Sequence, residues 1–118
     1  MAPKSLDTLH PATIAAQAAG LLDEGTGGVV PPIHPATTFV RDEGYAPVVQ
    51  GNVYSRSSAP NGQMVEQVLS QLEGAADAMV FPSGMAAVAS IFRTLPSGAT
   101  VLVQSQIYWG TTAWIRGF

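Results

Sequence analysis

Ala78-Met79-Val80-Phe81-Pro82-Ser83-Gly84-Met85-Ala86-Ala87 carries a change from one secondary structure to another. The apolar run 78–81 has the length and composition of a buried strand, and Pro82 stops it by removing a backbone donor. Ser83 then offers an N-cap oxygen to a helix running through Ala86, Val88, Ala89, Ile91 and Phe92. A strand-to-helix turn of this kind leaves backbone N–H groups without intrahelical acceptors, and Gly84 has no side chain to obstruct approach to them. Those donors, the Ser83 hydroxyl and the positive helix end together suit a phosphate or a carboxylate. The alternative is a turn that only joins a strand to a helix.

The segments on either side predict the layer to which this turn belongs. Asn61 is the expected N-cap of an amphipathic helix with Met64, Val65, Val68, Leu69 and Leu72 on one face. Glu66, Gln67, Gln71 and Glu73 lie opposite, and Gly74 ends the helix. Downstream, Pro96-Ser97-Gly98 makes a turn, and Thr100-Val101-Leu102-Val103-Gln104 reads as a second buried strand. The order helix, strand, helix, strand predicts an α/β fold with parallel strands. Ligands sit beyond the carboxyl ends of such strands, so the turn at Ser83 and the loop Tyr108-Trp109-Gly110-Thr111-Thr112 are expected to face one crevice. There Tyr108 either stacks on a flat ring or serves as a core or interface aromatic.

Toward the N-terminus, Pro11 opens a short helix over 13–19 that Gly20 closes. Glycines and acids collect over 23–28. Val29-Val30-Pro31-Pro32-Ile33-His34-Pro35 must then be extended, because three prolines remove donors and restrict their predecessors. This arm either lies over its own subunit or reaches across to a partner. Residues 37–40 read as a strand, and a polar loop over 52–62 carries Tyr54 and Arg56, which share one side of the chain if it is extended. Arg56 is suited to clamp a phosphate or carboxylate, with Tyr54 adding a phenol; a solvated surface pair is the alternative.

Composition narrows the function classes. Charged residues make up 11% of the 118, less than half of the roughly 25% typical of soluble domains, which implies that much of the surface is normally covered. Hence the chain is expected to be part of a larger protein or a protomer with large contacts. Net charge is −3 and the basic residues Lys4, Arg41, Arg56, Arg93 and Arg116 are scattered, so no stripe follows a nucleic-acid backbone. Without cysteine there is no thiolate chemistry and no Cys-ligated zinc, and His10 and His34 suggest no metal site. The alanine-rich stretch 12–22 is too short to span a bilayer, so no membrane partner is expected and the cytoplasm is the expected compartment.

Val29-Val30-Pro31-Pro32-Ile33, Thr37-Thr38-Phe39, Tyr54-Ser55-Arg56, Leu72-Glu73-Gly74, Ser83-Gly84-Met85-Ala86-Ala87 and Tyr108-Trp109-Gly110-Thr111 occur in a characteristic order and spacing. From about Thr13 onward the chain resembles the N-terminal part of the Cys/Met-metabolism enzymes that use pyridoxal phosphate, of the cystathionine γ-synthase, γ-lyase and β-lyase type. The resemblance implies an N-terminal helix and extended arm over 1–60 that contacts a neighbouring subunit. It also implies, over 61–118, the start of the large cofactor-binding α/β domain of fold type I, like that of aspartate aminotransferase, with its sheet incomplete. By the same resemblance, Tyr54 and Arg56 reach the pyridoxal 5′-phosphate of the neighbouring subunit. Ser83, Gly84 and Met85 bind the same phosphate, and Tyr108 stacks on the pyridine ring. Tyr54 and Tyr108 are the implied catalytic positions.

The implied function is a lyase or transferase of transsulfuration, acting by β/γ-elimination or γ-replacement on cystathionine or an activated homoserine. Its expected partners are a small amino-acid substrate and further copies of itself in a dimer of dimers. The alternative is a non-catalytic oligomerisation and cofactor-contact segment. Lys4, the single lysine, lies outside every matched motif, so the Schiff-base lysine and the aspartate partner of the ring nitrogen are expected in sequence beyond Phe118. Two positions depart from the family pattern: Ala59-Pro60-Asn61 stands where Asn-Pro-Thr is frequent, and Trp109 replaces a smaller residue.

Overall fold

The computed structural model describes residues 9–118, so Lys4 lies outside the described residues. Among the described residues there are four α-helices: α1 (Pro11–Ala16), α2 (Pro60–Glu73), α3 (Gly84–Arg93) and α4 (Trp109–Ile115). The chain divides into two compact units, one ending at Met79 and the other Val80–Phe118.

In the first unit, α1 and the following 3-10 turn (Ala18–Gly20) pack on α2. Pro11 takes the first helical position, and the His10 side chain accepts from the Ala12 N–H at 3.2 Å, a cap that the sequence reading overlooked. The helix stops at Ala16, three residues earlier than expected, because Ala18, Ala19 and Gly20 all adopt left-handed backbone angles. For alanine that geometry costs roughly 1–2 kcal/mol per residue. Here it turns Ala19 inward to join Ile14, and both are buried.

Asn61 is not the N-cap of α2. Pro60 occupies the first helical position with Ala59 as the cap residue, which places Asn61 inside the first turn. Its amide instead grips the backbone of the proline-rich arm. The His34 N–H donates to Asn61 Oδ1 at 2.9 Å, and Asn61 Nδ2 donates to the His34 carbonyl at 2.7 Å. Gln63 makes a similar tie, donating to the Gly51 carbonyl and to Ser58 Oγ. The apolar side of α2, with Met64, Val65, Val68 and Leu69, lines a groove of about 540 Å³ together with Ala15 and the arm residues Pro31, Pro32 and Ile33. Gly74 closes α2 as expected, with φ +61°, and the Gly74 and Ala75 N–H groups bond back to Gln71 and Ser70. Asn61→Ala is expected to lower stability by about 1–3 kcal/mol, two hydrogen bonds' worth, in a denaturant melt. An unchanged midpoint would show that the arm is held by its prolines alone.

The expected strands at 37–40, 78–81 and 100–104 are not formed. Among the described residues there are four isolated bridges, including Thr38 with Tyr54, and no strand ladder. The apolar runs have the composition of buried strands, but a strand exists only when a neighbour supplies its hydrogen-bond partners. Leu102 is 94% exposed and Met79 72%, as unburied strand residues would be. The second unit is instead organised by α3 against α4, with Phe92 packed edge-on to Trp114 and Phe118 at centroid distances of 5.6 and 5.9 Å.

Candidate functional site

The residues singled out by the sequence fall on both units. Tyr54 and Arg56 lie in the first. The segment is not extended there: the Ser57 and Ser58 N–H groups both donate to the Tyr54 carbonyl at 2.9 Å, making a tight turn. That turn brings the Arg56 guanidinium over the Tyr54 ring, 5.1 Å from its centroid, a cation–π contact. The turn is anchored by the Ser55 N–H, which donates to the Thr37 carbonyl at 2.9 Å. Arg56 is exposed, so its planar donors are available to an anion.

Ser83, Gly84 and Met85 open α3 in the second unit. Ser83 is in extended geometry and its Oγ accepts from the Ala86 N–H at 3.1 Å. This satisfies the third helical donor and leaves those of Gly84 and Met85, which lie ahead of any intrahelical acceptor. The first turn of α3 carries no acidic residue to compete for them. A Cβ built at Gly84 would meet nothing within 4 Å, so the approach to these donors is open. The helix end adds about 0.3–1 kcal/mol of attraction for an anion.

Tyr108 precedes α4 and is 62% exposed. Its carbonyl accepts from the Thr111 and Thr112 N–H groups at 3.0 and 3.3 Å, which starts the helix. The Thr111 hydroxyl donates to Met85 Sδ at 3.4 Å, joining the first turn of α4 to the first turn of α3. Thr111 thus links the Ser83 turn to the backbone turn that carries Tyr108, a contact that its place in Tyr108-Trp109-Gly110-Thr111 did not reveal. Among the described residues no three His, Cys, Asp or Glu side chains gather as a metal site.

A family model described as Cys/Met metabolism PLP-dependent enzyme matches residues 12–118. The chain belongs to this family. Its members depend on pyridoxal phosphate, and the relatives are named as lyases and synthases. A cystathionine gamma-synthase/O-acetylhomoserine (thiol)-lyase of Bacillus subtilis is 37% identical over 102 residues, covering 86% of this chain and 27% of the relative. A cystathionine beta-lyase MetC of the same organism is 38% identical over 89 residues, covering 75% of this chain and 22% of the relative. A mouse cystathionine gamma-lyase is 35% identical over 88 residues, again 75% of this chain and 22% of the relative. The chain therefore spans about a quarter of the length of these relatives. The residues present fit the cofactor: the free donors at Gly84 and Met85 suit its phosphate, and the exposed ring of Tyr108 suits its flat pyridine. No helix among the described residues is long and apolar enough to cross a membrane.

Proposed function

We propose that this chain supplies the phosphate and ring contacts of a fold type I pyridoxal-phosphate enzyme of sulfur amino acid metabolism. The reaction is β/γ-elimination or γ-replacement on cystathionine or an activated homoserine. The observation that carries the reading is the Ser83-capped start of α3, with its open donors, tied through Thr111 to the turn that presents Tyr108. When bound, the cofactor supplies an electron sink for a carbanion at the substrate.

The chain's own residues do the rest. Gly84 and Met85 donate backbone N–H groups to the phosphate, with Ser83 both capping the helix and adding its hydroxyl. Tyr108, with its exposed ring, would stack on the flat pyridine. Residues 1–60 act as an arm on a neighbouring copy, where Arg56 places two parallel donors on that copy's cofactor phosphate and Tyr54 steadies the guanidinium from below. The proposal includes a dimer of dimers, with the site shared between subunits, in the cytoplasm.

On this reading Lys4 is not the Schiff-base residue, and its place outside the matched residues 12–118 supports that. The test is titration of pyridoxal 5′-phosphate into the purified protein, followed by borohydride reduction, peptide mapping and assay with cystathionine and O-acetylhomoserine. Binding without a reduced adduct at Lys4 is expected, and failure to bind the cofactor would overturn the proposal. The second reading is a non-catalytic cofactor-contact and oligomerisation segment. Binding without turnover of either substrate would select it.

A further inference from the structure

Gly110 lies within α4, yet its backbone is not in the left-handed region that favours glycine. In an ordinary helical position alanine is the better residue, so backbone geometry gives no reason for a glycine here. Space does. A Cβ at position 110 would meet Tyr108 Cε1 at 2.5 Å, Cζ at 3.0 Å and Oη at 3.2 Å. The other glycines inside α-helices, Gly62 and Gly84, have nothing within 4 Å of the same point. The Tyr108 ring therefore folds back over the first turn of α4 and occupies the place of the missing side chain. Its neighbour Trp109 lies at a centroid distance of 5.8 Å and an angle of 53°, so the two rings form a pair at the head of the helix.

We propose that Gly110 is a positioning residue for Tyr108: the hydrogen in place of a Cβ lets the ring lie against the helix, and a side chain at 110 displaces it. The overlap is with the far end of a side chain that turns about two single bonds. Displacement thus relieves the clash without unfolding α4, and the cost falls on where the ring sits. This rests on the reading of Tyr108 as the residue that stacks on the cofactor ring, and it adds the element that sets the ring's place. Trp109 bears on the same ring from its other flank, 5.8 Å between centroids.

The experiment compares Gly110→Ala, Tyr108→Ala, the double variant and Gly62→Ala, the last reporting the effect of helix propensity alone. Two readouts are taken on the protein freed of cofactor, near-ultraviolet circular dichroism and titration with pyridoxal 5′-phosphate. Gly110→Ala is expected to change the aromatic dichroism and to weaken cofactor binding roughly two- to tenfold, the range of one aromatic contact. Gly62→Ala is expected to leave both at the parent values. In the Tyr108→Ala background the Gly110→Ala change is expected to have no further effect on affinity; an equal loss there would overturn the proposal, as would unchanged dichroism in Gly110→Ala. If Tyr108→Ala binds cofactor like the parent, the stacking reading fails, and the dichroism still decides the positioning. If Gly110→Ala does not fold, recovery of folding in the double variant supports the overlap with Tyr108, and its absence overturns it.

Discussion

Gly84→Val is expected to weaken pyridoxal 5′-phosphate binding by about a hundredfold while leaving the fold intact. The magnitude follows from obstructing two donors: hydrogen bonds to a charged acceptor contribute about 1.5–3 kcal/mol each, and losing one to two of them gives that factor. The fold survives because Gly84 takes the first position of α3 with no left-handed backbone angle, and the space around a Cβ there is empty. Valine is also no worse than glycine in a helix. Ser83→Ala removes something different. It deletes the oxygen that accepts from Ala86, which lowers stability by about 0.5–2 kcal/mol, and one hydroxyl contact to the anion. Cofactor affinity is thus expected to fall further in Gly84→Val, and thermal stability further in Ser83→Ala. Titration of the cofactor-free variants with calorimetric melts separates the two; equal affinity of Gly84→Val and the parent would mean that the turn is only a connection.

Arg56→Ala is expected to weaken cofactor binding roughly tenfold to a hundredfold, since a guanidinium on a phosphate makes charge-assisted, bidentate contacts. Arg56→Lys should recover only part of this. Lysine keeps the charge, but it presents a point donor where the guanidinium presents a planar fork, and it stacks less well on the Tyr54 ring beneath. Tyr54→Phe keeps that ring and removes the phenol, so its loss reports the hydroxyl alone. Because the proposed phosphate belongs to a neighbouring copy, the deficit is also expected to be complemented in mixed oligomers, where Arg56→Ala chains meet Gly84→Val chains and some sites regain both groups. Absence of recovery on mixing would place Arg56 and the Ser83 turn of one chain at the same site, contrary to the sharing of sites between subunits.

Two helix ends, one in each unit, were legible because their determinants are local. Ser83 caps α3 through a bond to a residue three positions on, and Gly74 ends α2 through bonds to Gln71 and Ser70, so residue type within one turn was enough. The family was legible for another reason: its short motifs keep their order across most of the chain, and the match over residues 12–118 agrees. What the sequence misjudged depends on groups far along the chain or on the course of the backbone. The runs at 78–81 and 100–104 carry strand composition, but a ladder needs a neighbour, and none is formed among the described residues. Asn61 has the chemistry of a cap, yet Pro60 took the first helical position and left its amide to the His34 backbone, 27 residues away in sequence. Tyr54 and Arg56 meet through a turn rather than along an extended chain. Only the tertiary structure decided that Thr111 touches Met85 and that the Tyr108 ring needs the empty side of Gly110, because volume and approach are properties of the folded chain and no residue type encodes them singly.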